Sequence, residues 1–242
     1  MKTVSAIICA FNEEKTIKDV ICSISGCRIF NEIIVVNDGS TDDTKRIITD
    51  CKDTIDFMDV HLPENKGKGY AMAIGIEKST SEILVFIDAD LTELSAIQLA
   101  TPFKELIIPI QNNEADMVLG QPFVTILNFK VNPFKSLTGE RSVKRTDILP
   151  LLNKMKTSRF GVETLINLYY QATGKIVKYV LLPELDHLSK FSKASPLSAA
   201  KEYINEGHEI AYSTLKNYDL IIKSIKNSID KTMKSNNNST IT

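Results

Sequence analysis

The chain has 242 residues, 43% of them hydrophobic and 24% charged, with a formal net charge of -1. That is enough apolar material for one sizeable core, and the near-neutral balance excludes a generally basic surface for nucleic acid. No stretch approaches the apolar length of a bilayer-spanning helix, which leaves only surface contact with a membrane. From Val4 to Phe123 short apolar runs alternate with longer amphipathic ones. The pattern predicts strands over residues 4–10, 32–37, 57–62, 82–88 and 117–120, with helices over about 14–25, 41–52, 67–79 and 95–108. This is the rhythm of an α/β fold with a mostly parallel sheet. Beyond Phe123 the rhythm breaks into a loop-rich passage with turn residues at Asn132-Pro133 and Thr138-Gly139. A short helix near 147–155, a stronger one over 161–173 and a strand over 176–182 follow. From Pro196 to about Met233 the pattern is helical, and the polar end reads as a disordered tail. The domain expectation is thus 1–190, split into halves 1–91 and 92–190, then a C-terminal helical extension over 195–234 and a tail over 235–242.

The four cysteines, Cys9, Cys22, Cys27 and Cys51, form no CxxC pair, and three fall in apolar periodic segments. Such cysteines read as small hydrophobes in a reduced, cytoplasmic setting. Met1-Lys2-Thr3 leads straight into a strand-like run without a leader-peptide layout.

Each strand end in the first half carries polar residues. Strand one runs into Ala10-Phe11-Asn12-Glu13-Glu14, strand two into Asn37-Asp38-Gly39-Ser40, strand three into Glu64-Asn65-Lys66-Gly67-Lys68-Gly69, and strand four into Asp88-Ala89-Asp90. Parallel strands put all four on one sheet edge, where open α/β sheets bind ligands. Singly, Asn-Asp-Gly-Ser is ordinary turn chemistry and the lysine-glycine run a solvated loop; together they fit a nucleotide. A strand-end Asp accepts hydrogen bonds from base or ribose, and Lys68 with glycine-loop amides favours phosphate oxygens. Asp88 and Asp90 suit a divalent ion that neutralises a diphosphate.

The segments "SAIICAFNEEKTI", "EIIVVNDGSTDDT" and "ENKGKGYAMAIGIEKSTSEILVFIDADL" together resemble the nucleotide-binding half of a GT-A glycosyltransferase, in the broad group that includes family 2. The resemblance implies a GT-A fold, with Ala10, Phe11, Asn12 and Glu14 lining the base and ribose pocket and Asp38 and Ser40 continuing it. It also implies that Lys68 reaches the nucleotide, and that Asp88, Ala89 and Asp90 serve the ribose edge and the metal. In the second half "LTGERSVKR", "FGVETL" and "LDHLSK" are similar in order to glucosyl-3-phosphoglycerate synthases and related polyprenyl-phosphate sugar transferases. By that resemblance Gly139, Glu140 and Arg145 shape the acceptor site, Glu163 sits beside the sugar, and His187 joins Asp90 on Mg²⁺ or Mn²⁺. Arg141, Lys144 and Arg145 put three cations in five residues, suited to an acceptor phosphate or to a solvated face. Glu163 equally reads as a first-turn acid complementing a helix dipole, and His187 as a surface residue.

The resulting expectation is a metal-dependent glycosyltransferase that moves a hexose from a UDP- or GDP-sugar to a phosphate-bearing acceptor, with Asp90, Lys68 and Glu163 at the chemistry. A nucleotidyltransferase acting on a sugar phosphate and a non-catalytic nucleotide-sugar binder are the alternatives. Near the end, Ala211, Leu215, Tyr218, Ile222, Ile225, Ile229 and Met233 recur at spacings of three and four. Such a stripe suits packing on its own domain, a homodimer seam, or, given the lysines around it, peripheral contact with a membrane.

Overall fold

The structure, a computed structural model, describes residues 1–91, 96–121, 124–126, 129–131, 139–158, 161–182, 215–223 and 226. Four parallel strands come first in the chain: β1 (Val4–Ala10), β2 (Glu32–Asn37), β3 (Met58–His61) and β4 (Ile83–Asp88). Between them lie α1 (Ile17–Gly26), α2 (Thr44–Cys51) and α3 (Lys68–Lys78), and α4 (Ala96–Gln111) leads to β5 (Met117–Gln121). A small hairpin of β6 (Val124–Ile126) and β7 (Phe129–Val131) precedes β8 (Arg141–Lys144). The chain then runs through α5 (Arg145–Ile148), a 3₁₀ turn, α6 (Leu152–Lys156), α7 (Val162–Ala172) and β9 (Val177–Leu181). The main sheet has seven strands in the order β3-β2-β1-β4-β8-β5-β9.

The continuous apolar sequences of β1 and β4 follow from burial on both faces. Val4, Ala6 and Ile8 of β1 join one core layer with α1, α2 and α4, while Ile7 joins the other with α3, α6 and α7. Two glycines let α3 lie close: a Cβ on Gly75 would meet Ile7 Cγ2 at 2.4 Å, and one on Gly69 would meet the Ser158 carbonyl oxygen at 1.8 Å. The alternation in β4 puts Leu84 and Phe86 in the α3 and α7 layer, which turns Asp88 to the same side.

Three expectations change. Within "ERSVKR", Arg141–Lys144 is a strand rather than a loop, and only Arg145 begins a helix: β8 is inserted antiparallel between β4 and β5, with Arg141, Ser142 and Val143 all buried. A strand buried on both faces shows no period of two, and its charged ends disguised it. Helix α4 continues through Pro102 and Pro109 to Gln111, because Phe103, Leu106, Ile107 and Ile110 carry one buried face across both prolines. In the C-terminal extension, described only at 215–223 and 226, Asn217 and Leu220 turn inward while Leu215, Tyr218 and Ile222 are exposed. Those three stripe residues do not pack on their own domain. The tail, 235–242, lies outside the described residues. Among the described residues no helix is long and apolar enough to cross a membrane.

The amino edge of the sheet is tied by one carboxylate. Glu32 accepts from the hydroxyls of Ser5, Ser79, Thr80 and Ser81 and from the N–H groups of Thr80 and Ser81. Partial burial pushes its pKa up, but the hydrogen bonds from Ser5, Thr80 and Ser81 outweigh this and hold it at about 2, against an ordinary 4.5. A depressed carboxylate stabilises the fold above its unfolded pKa and stops doing so as pH falls through its folded one. Glu32→Gln should therefore cost about 2 kcal/mol at neutral pH. In urea melts across pH it should also flatten the acid limb of the stability curve between about 4.5 and 2.

Candidate active site

Loops 10–14 and 37–44 leave the carboxyl ends of β1 and β2 and are stitched to each other. Asn12 N–H donates to Ser40 Oγ at 2.9 Å, and Thr41 N–H donates back to Asn12 Oδ1 at 2.9 Å. Glu13 N–H donates to Thr44 Oγ1 at 2.8 Å, and Asp43 N–H to Glu14 Oε2 at 3.1 Å. Asn12 holds a φ of 57° to make the turn, a conformation its short polar side chain tolerates. Ala10 is buried and contributes backbone, its carbonyl accepting from Asp38 N–H at 2.8 Å. Phe11, 41% exposed, presents its ring at this edge.

Asp38 sits deeper than a pocket-lining residue, at 3% exposure. Its two oxygens accept from Lys66 N–H and Gly67 N–H, both at 2.8 Å, so it clamps the glycine loop in front of α3. Gly39 (φ 68°) fits under that loop, since a Cβ there would lie 2.2 Å from the Glu64 carbonyl carbon. Gly67 takes φ 94°, and the chain turns directly into α3 with Lys68 as its first residue.

Lys68 Nζ meets Asp88 Oδ1 at 2.8 Å and Glu163 Oε1 at 2.7 Å. The ammonium thus joins the carboxyl end of β4 to the first turn of α7. Burial works against its charge, but the two carboxylates outweigh burial and raise its pKa well above the ordinary lysine value. Lys68 is a fixed cation rather than a proton donor. Cys9, the register partner of Asp88, has its thiol pushed up to about 12, chiefly by burial and against the pull of Lys68. It is a neutral lining group.

The second half of the chain reaches the same place from β8. A Cβ on Gly139 would lie 1.9 Å from Asp88 Oδ2, so the turn before β8 lies directly against that carboxylate. Glu140 is 1% exposed, and its carbonyl accepts from Gly120 N–H at 3.0 Å. Arg141, with no exposed surface, donates from Nη1 to the Glu163 carbonyl at 3.4 Å and to Asn167 Oδ1 at 3.3 Å. Burial lowers its guanidinium pKa, against the carboxylates of Glu163, Asp88 and Glu140.

The expected basic cluster is divided by the strand that carries it. Because β8 is antiparallel to β4, Arg141 pairs with Phe86 while Lys144 pairs with Ile83. Lys144 and Arg145 therefore lie at the amino edge, about 15 Å of strand from Asp88. There Lys144 Nζ binds Asp116 Oδ1 at 2.7 Å, and Arg145 N–H donates to the Glu82 carbonyl at 2.9 Å. These two residues are not on the edge where the acceptor was expected. Of the two expected metal ligands, Asp90 is half-buried at the site edge and His187 lies outside the described residues. Among the described residues no three His, Cys, Asp or Glu side chains converge on one ion position.

Sequence reading missed Asn167 and Thr16. Asn167 lies four residues after Glu163 and is 9% exposed amid Leu165, Ile166 and Tyr170; a buried amide in an apolar helical stripe was the available signal. Thr16 donates from Oγ1 to the Ala89 carbonyl at 2.8 Å, which ties the Asp-Ala-Asp turn to the start of α1.

Comparison with known proteins identifies the family and the fold. Poly-beta-1,6-N-acetyl-D-glucosamine synthase of Staphylococcus epidermidis is 33% identical over 160 residues, 65% of this chain and 32% of its own length. The chain therefore spans about a third of that relative. A crystal structure of glucosyl-3-phosphoglycerate synthase from Mycobacterium tuberculosis, in complex with Mn²⁺, UDP and glucosyl-3-phosphoglycerate, aligns with a TM-score of 0.67 at 23% identity. That alignment covers 89% of this chain and 79% of the other. A second structure of the same enzyme, with Mg²⁺ and UDP, gives 0.65 at 23%, with the same coverage of both chains. At these identities the likeness is one of fold, a GT-A glycosyltransferase architecture. The glycosyl transferase family 2 model matches residues 5–166, which include every strand end of the site and Glu163, and the chain belongs to that family.

Proposed function

We propose that the chain transfers a hexose from a nucleoside diphosphate sugar, UDP- or GDP-linked, to an acceptor at the carboxyl edge of the sheet. The observation that carries this reading is the Lys68 ammonium shared by Asp88 and Glu163, contributed by three distant segments at 2.8 and 2.7 Å. The base lies against Phe11 and the stitched loops Ala10–Glu14 and Asp38–Ser40, and the diphosphate lies over the amino end of α3. The sugar faces Glu163. As the glycosidic bond breaks, negative charge grows on the departing diphosphate, and a preorganised cation beside it lowers the barrier.

The site fits a divalent ion as well. Lys68 is already shared by two carboxylates, so a diphosphate placed beside Asp90 needs further positive charge. Asp90 offers the single hard oxygen ligand typical of Mg²⁺ or Mn²⁺ sites that substrate phosphates complete, with His187 as the expected second ligand. When bound, such an ion supplies electrostatic stabilisation of the leaving group. Glu163, fixed by Lys68 and by the Arg141 contacts on its helix, positions the sugar or acceptor hydroxyls. The four free cysteines, Cys9, Cys22, Cys27 and Cys51, suit a reducing, cytoplasmic setting.

A phosphate-bearing acceptor draws support from solved structures of similar fold that hold phosphoglyceric acid. It draws none from Lys144 and Arg145, which lie at the other edge. Arg145→Ala should therefore leave the acceptor KM unchanged in steady-state assays. Release of free nucleoside diphosphate from a panel of donors tests the reaction itself. Pyrophosphate release from a nucleoside triphosphate supplied with a sugar phosphate would mark a nucleotidyltransferase, and donor binding without turnover a non-catalytic protein. Lys68→Met should lower kcat by about 10²-fold or more. Asp90→Ala should abolish turnover and, in thermal shift, the Mn²⁺-dependent part of donor stabilisation. A variant that keeps that part, or a rate indifferent to EDTA, would remove the metal from the scheme.

A further inference from the structure

The helical segment near the carboxyl terminus presents a surface that the reaction does not use. Residues 218–223 are helical, with Leu220 N–H donating to the Asn217 carbonyl at 3.0 Å. Asn217 and Leu220, at 6% and 8% exposure, face the domain, and Leu220 joins the core layer of α6 and α7. Asp219 Oδ2 meets Lys154 Nζ of α6 at 3.4 Å. These contacts fasten one side of the segment. The other side carries Leu215, Tyr218 and Ile222, exposed at 74%, 65% and 47%. Tyr218 and Ile222, four residues apart, are neighbours on one helical face, and Leu215 precedes them across the turn at Asn217. Scattered exposed apolar residues are ordinary, but a contiguous set marks an interaction surface.

The charges around that face select the occupant. Lys216, Lys223 and Lys226 are all exposed. The only acid between 215 and 226 is Asp219, which is directed to Lys154. A second copy meeting this face about a two-fold axis would set lysines against lysines, with no acid from the segment to offset them. An anionic headgroup layer supplies the missing charge. Its acyl boundary takes the Leu and Ile side chains, and Tyr218 suits the headgroup level.

We propose that this segment docks the protein on an anionic lipid bilayer, through Leu215, Tyr218 and Ile222 with Lys223 and Lys226 on headgroup phosphates. The inference stands apart from the reaction, because its test reads binding and not turnover. The full chain should co-sediment with phosphatidylcholine vesicles that contain phosphatidylglycerol, more weakly as salt is raised, and not with phosphatidylcholine alone. Lys223→Gln and Lys226→Gln should each weaken partitioning about fivefold. The triple variant Leu215→Ser, Tyr218→Ser, Ile222→Ser should stay in the supernatant while keeping the thermal melt of the parent, since all three side chains are exposed. Three results would overturn the proposal: no sedimentation of the parent with anionic vesicles, equal sedimentation of the triple variant, or a lipid-indifferent dimer by light scattering that the triple variant dissolves.

Discussion

Asp88 and Glu163 lie close enough for one ammonium to touch both, and without it their like charges would drive them apart. The site depends on where Lys68 is held. Its backbone position is set by the clamp of Asp38 on Lys66 N–H and Gly67 N–H, by the positive φ of Gly67 and by the close seat of α3 on β1 at Gly75. A buried carboxylate under one strand end thus fixes a cation that unites two others. Arg141 acts from below, gripping the Glu163 carbonyl and Asn167 so that the first turn of α7 stays in register with Lys68.

The parallel half of the fold was legible because its physics is local. Apolar runs over Val4–Ala10 and Ile83–Asp88 can only be strands covered on both sides, and their polar ends had to emerge at one edge. The contents of that edge were read as ligand contacts, yet several also hold the loops together. Asn12, Ser40 and Glu14 knit two loops together, and Asp38 clamps a third. A hydrogen-bonding side chain at a strand end looks the same in sequence whether its partner is a ribose or a neighbouring amide.

The second half resisted for a different reason. Charged residues at both ends of Arg141–Lys144 made a buried strand look like a solvated turn, because burial of an arginine depends on carboxylates that are distant in sequence. Strand direction was the larger miss. Read as one cluster, Arg141, Lys144 and Arg145 suggested a single phosphate clamp; read along an antiparallel strand they belong to opposite edges of the molecule. Spacing in sequence fixes proximity in a turn but opposition in a strand.

The direction of β8 also governs how such a protein can diversify. β5 runs toward the site and ends at Gln121, and β8 starts back from the same edge at Arg141. Both anchor points of the connection between them therefore border the reacting groups, and neither changes if the connection grows or shrinks. Loop closure rises only slowly with added length. Insertions there can change which molecules the pocket admits while strand order and the Lys68 cluster stay as they are, whereas insertions at the Lys144–Arg145 junction fall at the amino edge, away from the reacting groups.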